Sequence, residues 1–299
     1  MLHILTHNIL PVFAMLALGF AMGRTGKADA SEAKAANRIA FIVMQPLLLF
    51  LLMIGLDVQT FDPVALGLYA LCEIIAFTIA YLTARRIFKR EPLESWLLAM
   101  AVIFVNTVLY IWPISVPIYG EAGALPIKAI VAWDAAVAFS FFIISMEVMT
   151  GRAAPAQTAR RLAMNPVLLA QVLGLFVNLA NIPVPEPVIT AARFASVAAA
   201  ALTLFALGVI LSGHSLIPGP TVIAMSALKL LLFPALVLGS MATITPANPW
   251  QGQFVLTAAG PSGAMAFSLA MLYGVYTDAI APVIIWTSTL SLISLAYLA

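Results

Sequence analysis

Ten long apolar stretches limit what this chain can fold into more than any other feature of its sequence. Each is about as long as the ~20 residues that a helix needs to cross the hydrocarbon core of a bilayer. The 299 residues include 14 Lys or Arg and 12 Asp or Glu, too few to cover the surface of a soluble domain. We therefore predict an all-α membrane protein with ten transmembrane helices, at 5–23, 37–56, 64–83, 96–119, 126–149, 164–181, 188–212, 220–243, 251–273 and 279–298.

Several function classes are excluded by simple counts. A net charge of +2 is too small for a nucleic-acid-binding surface, so no nucleic acid partner is expected. Cys72 is the one cysteine, which rules out an internal disulfide, and the three histidines His3, His7 and His214 are too scattered for a metal cluster. We find no nucleophile–base set. The sequence thus predicts neither an enzyme nor a bound cofactor or metal.

The loop charges predict the orientation in the membrane. Eleven of the 14 basic residues follow the first, third and fifth stretches, and the loops on the other side are mainly acidic. Because loops rich in Lys and Arg stay in the cytoplasm, we expect a multi-pass protein of the cell (inner or plasma) membrane with both termini extracytoplasmic. The eleven are Arg24, Lys27, Lys34, Arg38, Arg85, Arg86, Lys89, Arg90, Arg152, Arg160 and Arg161.

The two halves of the chain resemble each other. PLLLFLLMIGL at 46–56 and ALTLFALGVIL at 201–211 agree at five of eleven positions, and Pro11-Val12 recurs as Pro166-Val167 at the same offset of 155. Five helices per copy is an odd number, so the copies must face opposite ways across the membrane. We predict two five-helix inverted repeats, at 1–151 and 164–299, joined by a short cytoplasmic linker at 152–163. Inverted repeats are typical of secondary transporters.

Helix-breaking residues occur at matching places in the two copies. The fourth stretch holds Asn106-Thr107 and then Pro113, and the ninth holds Gly260-Pro261-Ser262. Proline and glycine interrupt a helix, and the exposed N–H groups of a half-helix favour an anion. Two broken helices at matching repeat positions point to a substrate site at the breaks. The alternative is a pair of ordinary kinks whose polar side chains bond to their own helices.

Few ionisable residues lie inside the stretches. Asp134 and Glu73 are the candidates for proton or ion coupling, because a buried charge in a membrane is costly and is usually paired or functional. Lys229 lies one residue from the repeat equivalent of Glu73, which suggests an ion pair between them; the alternative is that each reaches water separately. Gln45, next to Pro46 in the second stretch, either faces the substrate cavity or marks a packing kink.

The chain resembles the auxin efflux carrier family of membrane transporters (PIN carriers and bacterial relatives) over nearly its whole length. The most specific part of the resemblance is the C-terminal block GPSGAMAFSLAMLYGVYTDA, followed by TSTLSL. The other parts are Asn37-Arg38, Pro46 with LLF after it, Asn106-Thr107 with Pro113, Asn165-Pro166, LFALG at 204–208, and the spacing from Lys229 to Pro234.

The resemblance implies a fold and a class of substrate. Helices 1, 2, 6 and 7 would form a scaffold, and helices 3–5 and 8–10 a transport unit in which helices 4 and 9 cross. The substrates implied are organic anions, indole-3-acetate in plants and dicarboxylates such as malate or malonate in bacterial relatives. The sequence departs from the family at Val108, Tyr110 and Ile111, where glycines are common, and at Ala201, where a proline is common.

The sequence therefore predicts a secondary carrier that exports a small organic anion, a carboxylate, by an elevator-type alternating-access mechanism. A sodium- or proton-coupled symporter of the bile-acid-symporter type is the nearest rival, and it would need several oxygen ligands at the crossing. A membrane receptor or sensor is a rival from another class, which would bind ligand without flux. The expected partners are the anion and the lipid bilayer, and the sequence leaves open whether the protein is a homodimer.

Overall fold

The computed structural model describes residues 6–7, 10–57, 61–151, 155–214 and 217–298. These residues are mostly helical. Val105 and Ser262 form an isolated antiparallel β-bridge. In chain order the helices are α1 (Leu10–Arg24), α2 (Ala30–Ile54), α3 (Pro63–Ile87), α4 (Pro92–Ile103), α5 (Thr107–Gly120), α6 (Leu125–Met149), α7 (Pro155–Ala163), α8 (Pro166–Leu179), α9 (Glu186–Leu211), α10 (Pro220–Ile244), α11 (Gln251–Ala258), α12 (Met265–Tyr273) and α13 (Ile280–Leu298).

Five of these helices are long and apolar enough to cross a bilayer. They are α2, α3, α6, α9 and α10, each of 25 or 26 residues. The remaining apolar helices are shorter, and the predicted fourth and ninth stretches each appear as two of them. The predicted all-α class is confirmed, and the length and composition of these helices are compatible with a membrane protein.

Local sequence signals explain where several helices start. Proline occupies the first turn of α3, α4, α8 and α10, where its missing N–H costs no helical hydrogen bond. The side chains of Asp62 and Asn165 cap α3 and α8 by accepting bonds from backbone N–H groups. The fourth stretch begins at Pro92 instead of the predicted 96, because the helix also includes the polar turn before the apolar run.

Segments of π-helix interrupt several of the long helices. Such segments are rare and occur frequently at functional sites. Gln45 directly follows one, Thr107 and Asp134 each begin one, and Lys229 is the second residue of another. The π segments among the described residues are Ala40–Met44, Thr83–Ile87, Thr107–Ile111, Asp134–Ala138 and Leu228–Leu232.

The predicted linker at 152–163 is largely helical. Residues 152–154 lie outside the described residues, and α7 covers Pro155–Ala163. Its sequence, PAQTARRLA, is polar overall, unlike that of the helices on either side.

The described residues divide into two compact units. The first comprises residues 62–127 and 214–299 with the first 13 residues of the chain. In this unit α4 packs against α3, α10, α12 and α13, and Leu97, Leu98 and Met100 are completely buried. The Tyr69 ring of α3 makes edge contacts with Phe233 of α10 and Phe254 of α11, at centroid distances of 5.5 and 5.3 Å.

The second unit comprises residues 14–61 and 128–213. In it α2 packs against α8 and α9. Most of α6 belongs here, whereas the family resemblance places the fifth helix with helices 3, 4 and 8–10. Two hydrogen bonds join α6 to this unit: the Gln171 amide of α8 donates to the Val131 carbonyl at 3.3 Å, and Lys128 Nζ donates to the Gly55 carbonyl at 2.8 Å.

Candidate functional site

The first unit contains two interrupted helices whose breaks meet. After α4 the backbone is extended at Phe104 and Val105, and α5 starts after Asn106. After α11 the chain runs through Gly260-Pro261-Ser262-Gly263 before α12 starts. The pairing of Val105 with Ser262 joins the two non-helical segments in antiparallel fashion.

Two hydrogen bonds hold the two breaks together, and a third fixes the ninth-helix break to α13. The Asn106 N–H donates to the Pro261 carbonyl at 3.0 Å, and the Gly263 N–H donates to the Phe104 carbonyl at 2.7 Å. The Ser262 N–H donates to the Thr287 hydroxyl of α13 at 3.1 Å. Each break therefore supplies hydrogen-bond partners for backbone N–H and carbonyl groups of the other, which lipid could not do.

Glycine at 260 and 263 permits this close approach. A Cβ atom on Gly260 would lie 2.5 Å from Ile111 Cδ1 of α5, and one on Gly263 would lie 3.0 Å from Phe104 Cδ1. Both distances are shorter than an ordinary carbon–carbon contact of about 3.5–4.0 Å. A larger residue at 263 would press on the Phe104–Val105 backbone of the other break, and one at 260 would displace the Ile111 side chain.

Helix starts and buried polar side chains converge at this crossing. The first N–H groups of a helix have no acceptor inside it. Among the described residues, those of Val108 at the start of α5 and of Met265 and Ala266 at the start of α12 have no backbone or side-chain acceptor. Within the same described set the Ser262 hydroxyl is buried without a hydrogen-bond partner, and the Asn106 side chain does not cap α5.

The carbonyl ends at the crossing are occupied, unlike the N–H ends. Lys229 Nζ of α10 donates to the Ala258 carbonyl at 2.7 Å, and the Ser294 hydroxyl of α13 donates to the Ala259 carbonyl at 3.3 Å. Lys229 is completely buried, and its ammonium lies 4.8 Å from the centre of the Phe233 ring. Because the negative end of α11 is offset and the positive ends of α5 and α12 are open, the crossing suits an anion.

The structure brings most of the sequence-predicted binding residues together in the first unit; Pro113 lies apart from them in α5, and Gln45, also predicted to bind substrate, belongs to the second unit. Asn106, Thr107 and the Gly260–Ser262 segment all lie at the crossing, and the Thr107 hydroxyl contacts the Val105 carbonyl at 3.5 Å. Pro113 lies inside α5, seven residues beyond Asn106, or about 10 Å along a regular helix. It follows the π segment and does not form the break.

The predicted coupling residues are buried in both units. Glu73 of α3 belongs to the first unit, as does Lys229, and the two helices that hold them pack against each other. Their ion pair stays a prediction. Asp134 of α6 and Gln45 of α2 belong to the second unit, where Asp134 is buried and Gln45 is half-buried.

Sequence reasoning missed three side chains that the structure makes important. Thr287 and Ser294 of α13 bond to the backbone of the ninth-helix break, and Gln171 of α8 is buried with its amide on the Val131 carbonyl. Thr287 is the first residue of the TSTLSL string, a run of hydroxyl side chains in an apolar helix that could have marked it. Gln171 is a lone polar residue in an apolar helix, which could have marked it.

No group of three or more metal-binding side chains is found within the described residues. What the crossing presents is a set of N–H groups, hydroxyls and one amide. Such a set binds and orients an anion by hydrogen bonds and helix dipoles, and it offers no nucleophile–base pair for catalysis.

A multi-pass helical membrane protein with two interrupted helices that meet at their breaks is the architecture of a membrane transporter. Comparison with known proteins agrees. The chain belongs to the family described as "Membrane transport protein", whose sequence profile matches residues 150–299. It is also 24% identical over 296 residues to a protein of Rhizobium meliloti (strain 1021) named "Putative malonate transporter", a match that covers 96% of this chain and 92% of the relative.

Proposed function

We propose that this protein is a secondary transporter that exports a small organic anion, and that the anion binds at the crossing of the two breaks. The observation that carries the proposal is the pairing of Val105 with Ser262, because it leaves two helix starts and a buried hydroxyl at one place. The carboxylate accepts hydrogen bonds from the open N–H groups of α5 and α12. Asn106, Thr107 and Ser262 add side-chain bonds.

A short dicarboxylate is the substrate that we propose first. The name of the Rhizobium meliloti relative refers to malonate, and the auxin efflux carrier resemblance also suggests carboxylates. Two helix starts offer two positive ends, one for each carboxylate group. Val108, Tyr110 and Ile111 in place of smaller residues favour a compact substrate, because Tyr110 and Ile111 are completely buried beside the break.

We propose that transport proceeds by alternating access of the elevator type, in a fold of ten spans arranged as two inverted repeats. The offset of 155 residues between the two halves supports the repeat. The division of the chain into two compact units supports a movement of one part as a body. A negative cell interior alone favours export of an anion by ~2.3 kcal/mol per charge per 100 mV.

Proton coupling would use Asp134 or Glu73, which are both buried. If either carries a coupled proton, neutralising it abolishes the pH dependence of transport while substrate binding remains. The comparison is between the parent, Asp134→Asn and Glu73→Gln in liposomes at several pH values. Unchanged pH profiles in both variants would leave a transporter without proton coupling through these residues, and a sodium gradient then distinguishes symport from uniport.

The function is tested by a thermal-shift screen of the purified protein against mono- and dicarboxylates, followed by flux measurements in liposomes. We expect a short dicarboxylate to raise the melting temperature and to move across the membrane. Binding without flux would favour a receptor or sensor. Absence of binding by every carboxylate tested would contradict the proposal.

A further inference from the structure

An apolar groove runs along the first unit between α10 and α13. It has a volume of about 670 Å³, within the range of about 300–1,000 Å³ typical of ligand sites. Its walls are formed chiefly by Val222, Ser226 and Leu230 of α10 and by Trp286, Leu290 and Ile293 of α13. It is distinct from the crossing, whose break residues do not line it.

The groove opens outward and has the length of one lipid leaflet. Ile223, Leu231 and Ile293 at its edges are 58%, 69% and 73% exposed, so they face the hydrocarbon of the membrane. From Val222 to Leu231 the groove follows α10 for nine residues, or about 14 Å at 1.5 Å per residue. That is close to half of a hydrocarbon core of about 30 Å.

Basic residues lie at one end of the groove. Thr221, the neighbour of Val222 at the start of α10, accepts hydrogen bonds from Arg90 Nε and Nη2 at 3.3 and 3.1 Å. Arg90 also pairs with Glu94 at 3.1 Å. Arg85, Arg86 and Lys89 are exposed nearby in the chain. The acidic residues of the same segment are Glu94 and the exposed Glu91, so that four basic residues stand against two acidic ones within residues 85–94. A basic cluster next to a membrane helix attracts anionic lipid headgroups.

A buried hydroxyl lies between the charged end and the apolar end. Ser226 lines the groove, and within the described residues its Oγ is buried without a hydrogen-bond partner. It lies five residues beyond Thr221, or about 8 Å deeper along α10. In a phospholipid the ester carbonyls lie slightly deeper in the membrane than the phosphate. The Ser226 hydroxyl has the same relation to the basic end of the groove.

We propose that the groove is a binding site for one anionic phospholipid. An acyl chain fills the groove between α10 and α13, the Ser226 hydroxyl donates to an ester carbonyl, and the phosphate lies by the basic cluster Arg85, Arg86, Lys89 and Arg90. The Ser294 hydroxyl in the same groove wall bonds to the Ala259 carbonyl beside the break. A bound lipid therefore packs against α13, the helix that bonds to the ninth-helix break.

The groove is tested by filling it. Ala227 lines it and is exposed, so Ala227→Phe places a ring where the acyl chain lies. Ala235→Phe is the matched control, since Ala235 is an exposed alanine of the same helix outside the groove. Phospholipids retained by each purified protein are counted by native mass spectrometry after addition of phosphatidylglycerol or phosphatidylcholine. We expect Ala227→Phe to lower phosphatidylglycerol retention about tenfold and Ala235→Phe to leave it unchanged.

The charge of the headgroup is tested separately. The parent retains phosphatidylglycerol several-fold better than phosphatidylcholine, and Arg86→Gln with Lys89→Gln removes this preference without abolishing lipid binding. Lys27→Gln with Lys34→Gln removes the same charge from exposed positions of the second unit and keeps the preference. Ser226→Ala weakens retention of both lipids.

Three results would overturn the proposal. The first is equal phosphatidylglycerol retention in Ala227→Phe and Ala235→Phe. The second is an equal preference for phosphatidylglycerol in both charge variants. The third is a parent mass of two chains without lipid that Ala227→Phe converts to one chain, which would make the groove an interface between copies.

Discussion

The Lys229 ammonium donates a hydrogen bond of 2.7 Å to the Ala258 carbonyl, at the end of α11 where the ninth helix breaks. A charge that is completely buried thus offsets the negative end of a half-helix. The same carbonyl would otherwise present a partial negative charge at the proposed anion site. Lys229 therefore helps to make the crossing electropositive, and the proposal gives it no contact with the anion.

Lys229→Met removes this donor and leaves the Ala258 carbonyl buried without it. An unsatisfied buried polar group costs ~1–3 kcal/mol, so we expect a lower free energy of unfolding in detergent and a weaker affinity for the anion. Lys34→Met, at an exposed position of α2, is the control and leaves both unchanged.

The proposed Glu73–Lys229 ion pair is tested by a double-mutant cycle with Glu73→Gln. If the two side chains interact, the double variant loses less stability than the sum of the single variants, by about 0.5–3 kcal/mol. Additive losses of stability would mean that Lys229 acts through its hydrogen bond to the Ala258 carbonyl and that Glu73 does not interact with it.

Gly260→Ala overpacks the contact between the ninth-helix break and Ile111 of α5. Its new Cβ would lie 2.5 Å from Ile111 Cδ1 and 3.0 Å from the Thr257 carbonyl. Overpacking of this kind costs ~1–3 kcal/mol, so a lower melting temperature and weaker anion binding are expected. Ile111→Val removes the nearest atom and should restore part of the loss. Gly239→Ala on α10, where a Cβ meets nothing within 4 Å, should be neutral or stabilising; an equal loss at both glycines would argue against close contact at the crossing.

The Asp62 cap of α3 makes stability depend on pH. Burial raises the pKa of the Asp62 carboxyl, but hydrogen bonds from Ala65 N–H, the Asn248 amide and Val64 N–H outweigh it, so the pKa lies below its ordinary 3.8. Such a group stabilises the fold above its unfolded-state pKa, and that stability is lost as the pH falls through the folded-state pKa.

Asp62→Asn keeps a capping oxygen but loses the charge and the acceptor of the Asn248 amide. We therefore expect it to lower stability at neutral pH by ~0.5–1.5 kcal/mol, as a lost hydrogen bond does. The difference between parent and variant should shrink below about pH 4, near the unfolded-state pKa of an aspartate. Melting temperatures between pH 3 and pH 7 measure it. A constant difference across this range would show that the carboxylate charge is not the stabilising feature.

The orientation can be tested with new cysteines, because Cys72 is the one cysteine and is buried. Lys27→Cys and Pro183→Cys occupy exposed loop positions that the basic-loop asymmetry puts on opposite sides. We expect a membrane-impermeant thiol reagent to label Pro183→Cys in intact cells, and Lys27→Cys after permeabilisation only. The opposite pattern would reverse the topology.

How far the sequence predicts the site differs from residue to residue. Gly260, Pro261 and Gly263 disfavour a regular helix by themselves, so the ninth-helix break was predictable. The fourth-helix break at Phe104–Asn106 has no proline or glycine, and it depends on pairing with the other break. Pro113 lies in the helix that is interrupted, but it does not mark the place. The break comes before the π segment Thr107–Ile111, and Pro113 comes after that segment.

The role of Lys229 shows where sequence reasoning stops. Its position predicted a buried ionisable residue, which the structure bears out. Its hydrogen bond to Ala258 follows from the packing of α10 against α11, and periodicity within one helix contains no such information. The same holds for Thr287 and Ser294, whose partners lie 25 and 35 residues away in the chain.

If the anion binds at the crossing, the Ser262 hydroxyl should donate to it. Its hydroxyl is buried without a partner among the described residues, so Ser262→Ala should not lower the melting temperature. A lost hydrogen bond to a charged group costs ~1.5–3 kcal/mol, or roughly tenfold or more in affinity. Ser268→Ala, an exposed serine of α12, is the control. Isothermal titration with the tightest carboxylate should show affinity at least ~10-fold weaker in Ser262→Ala alone; equal affinity in well-folded Ser262→Ala would place the anion elsewhere.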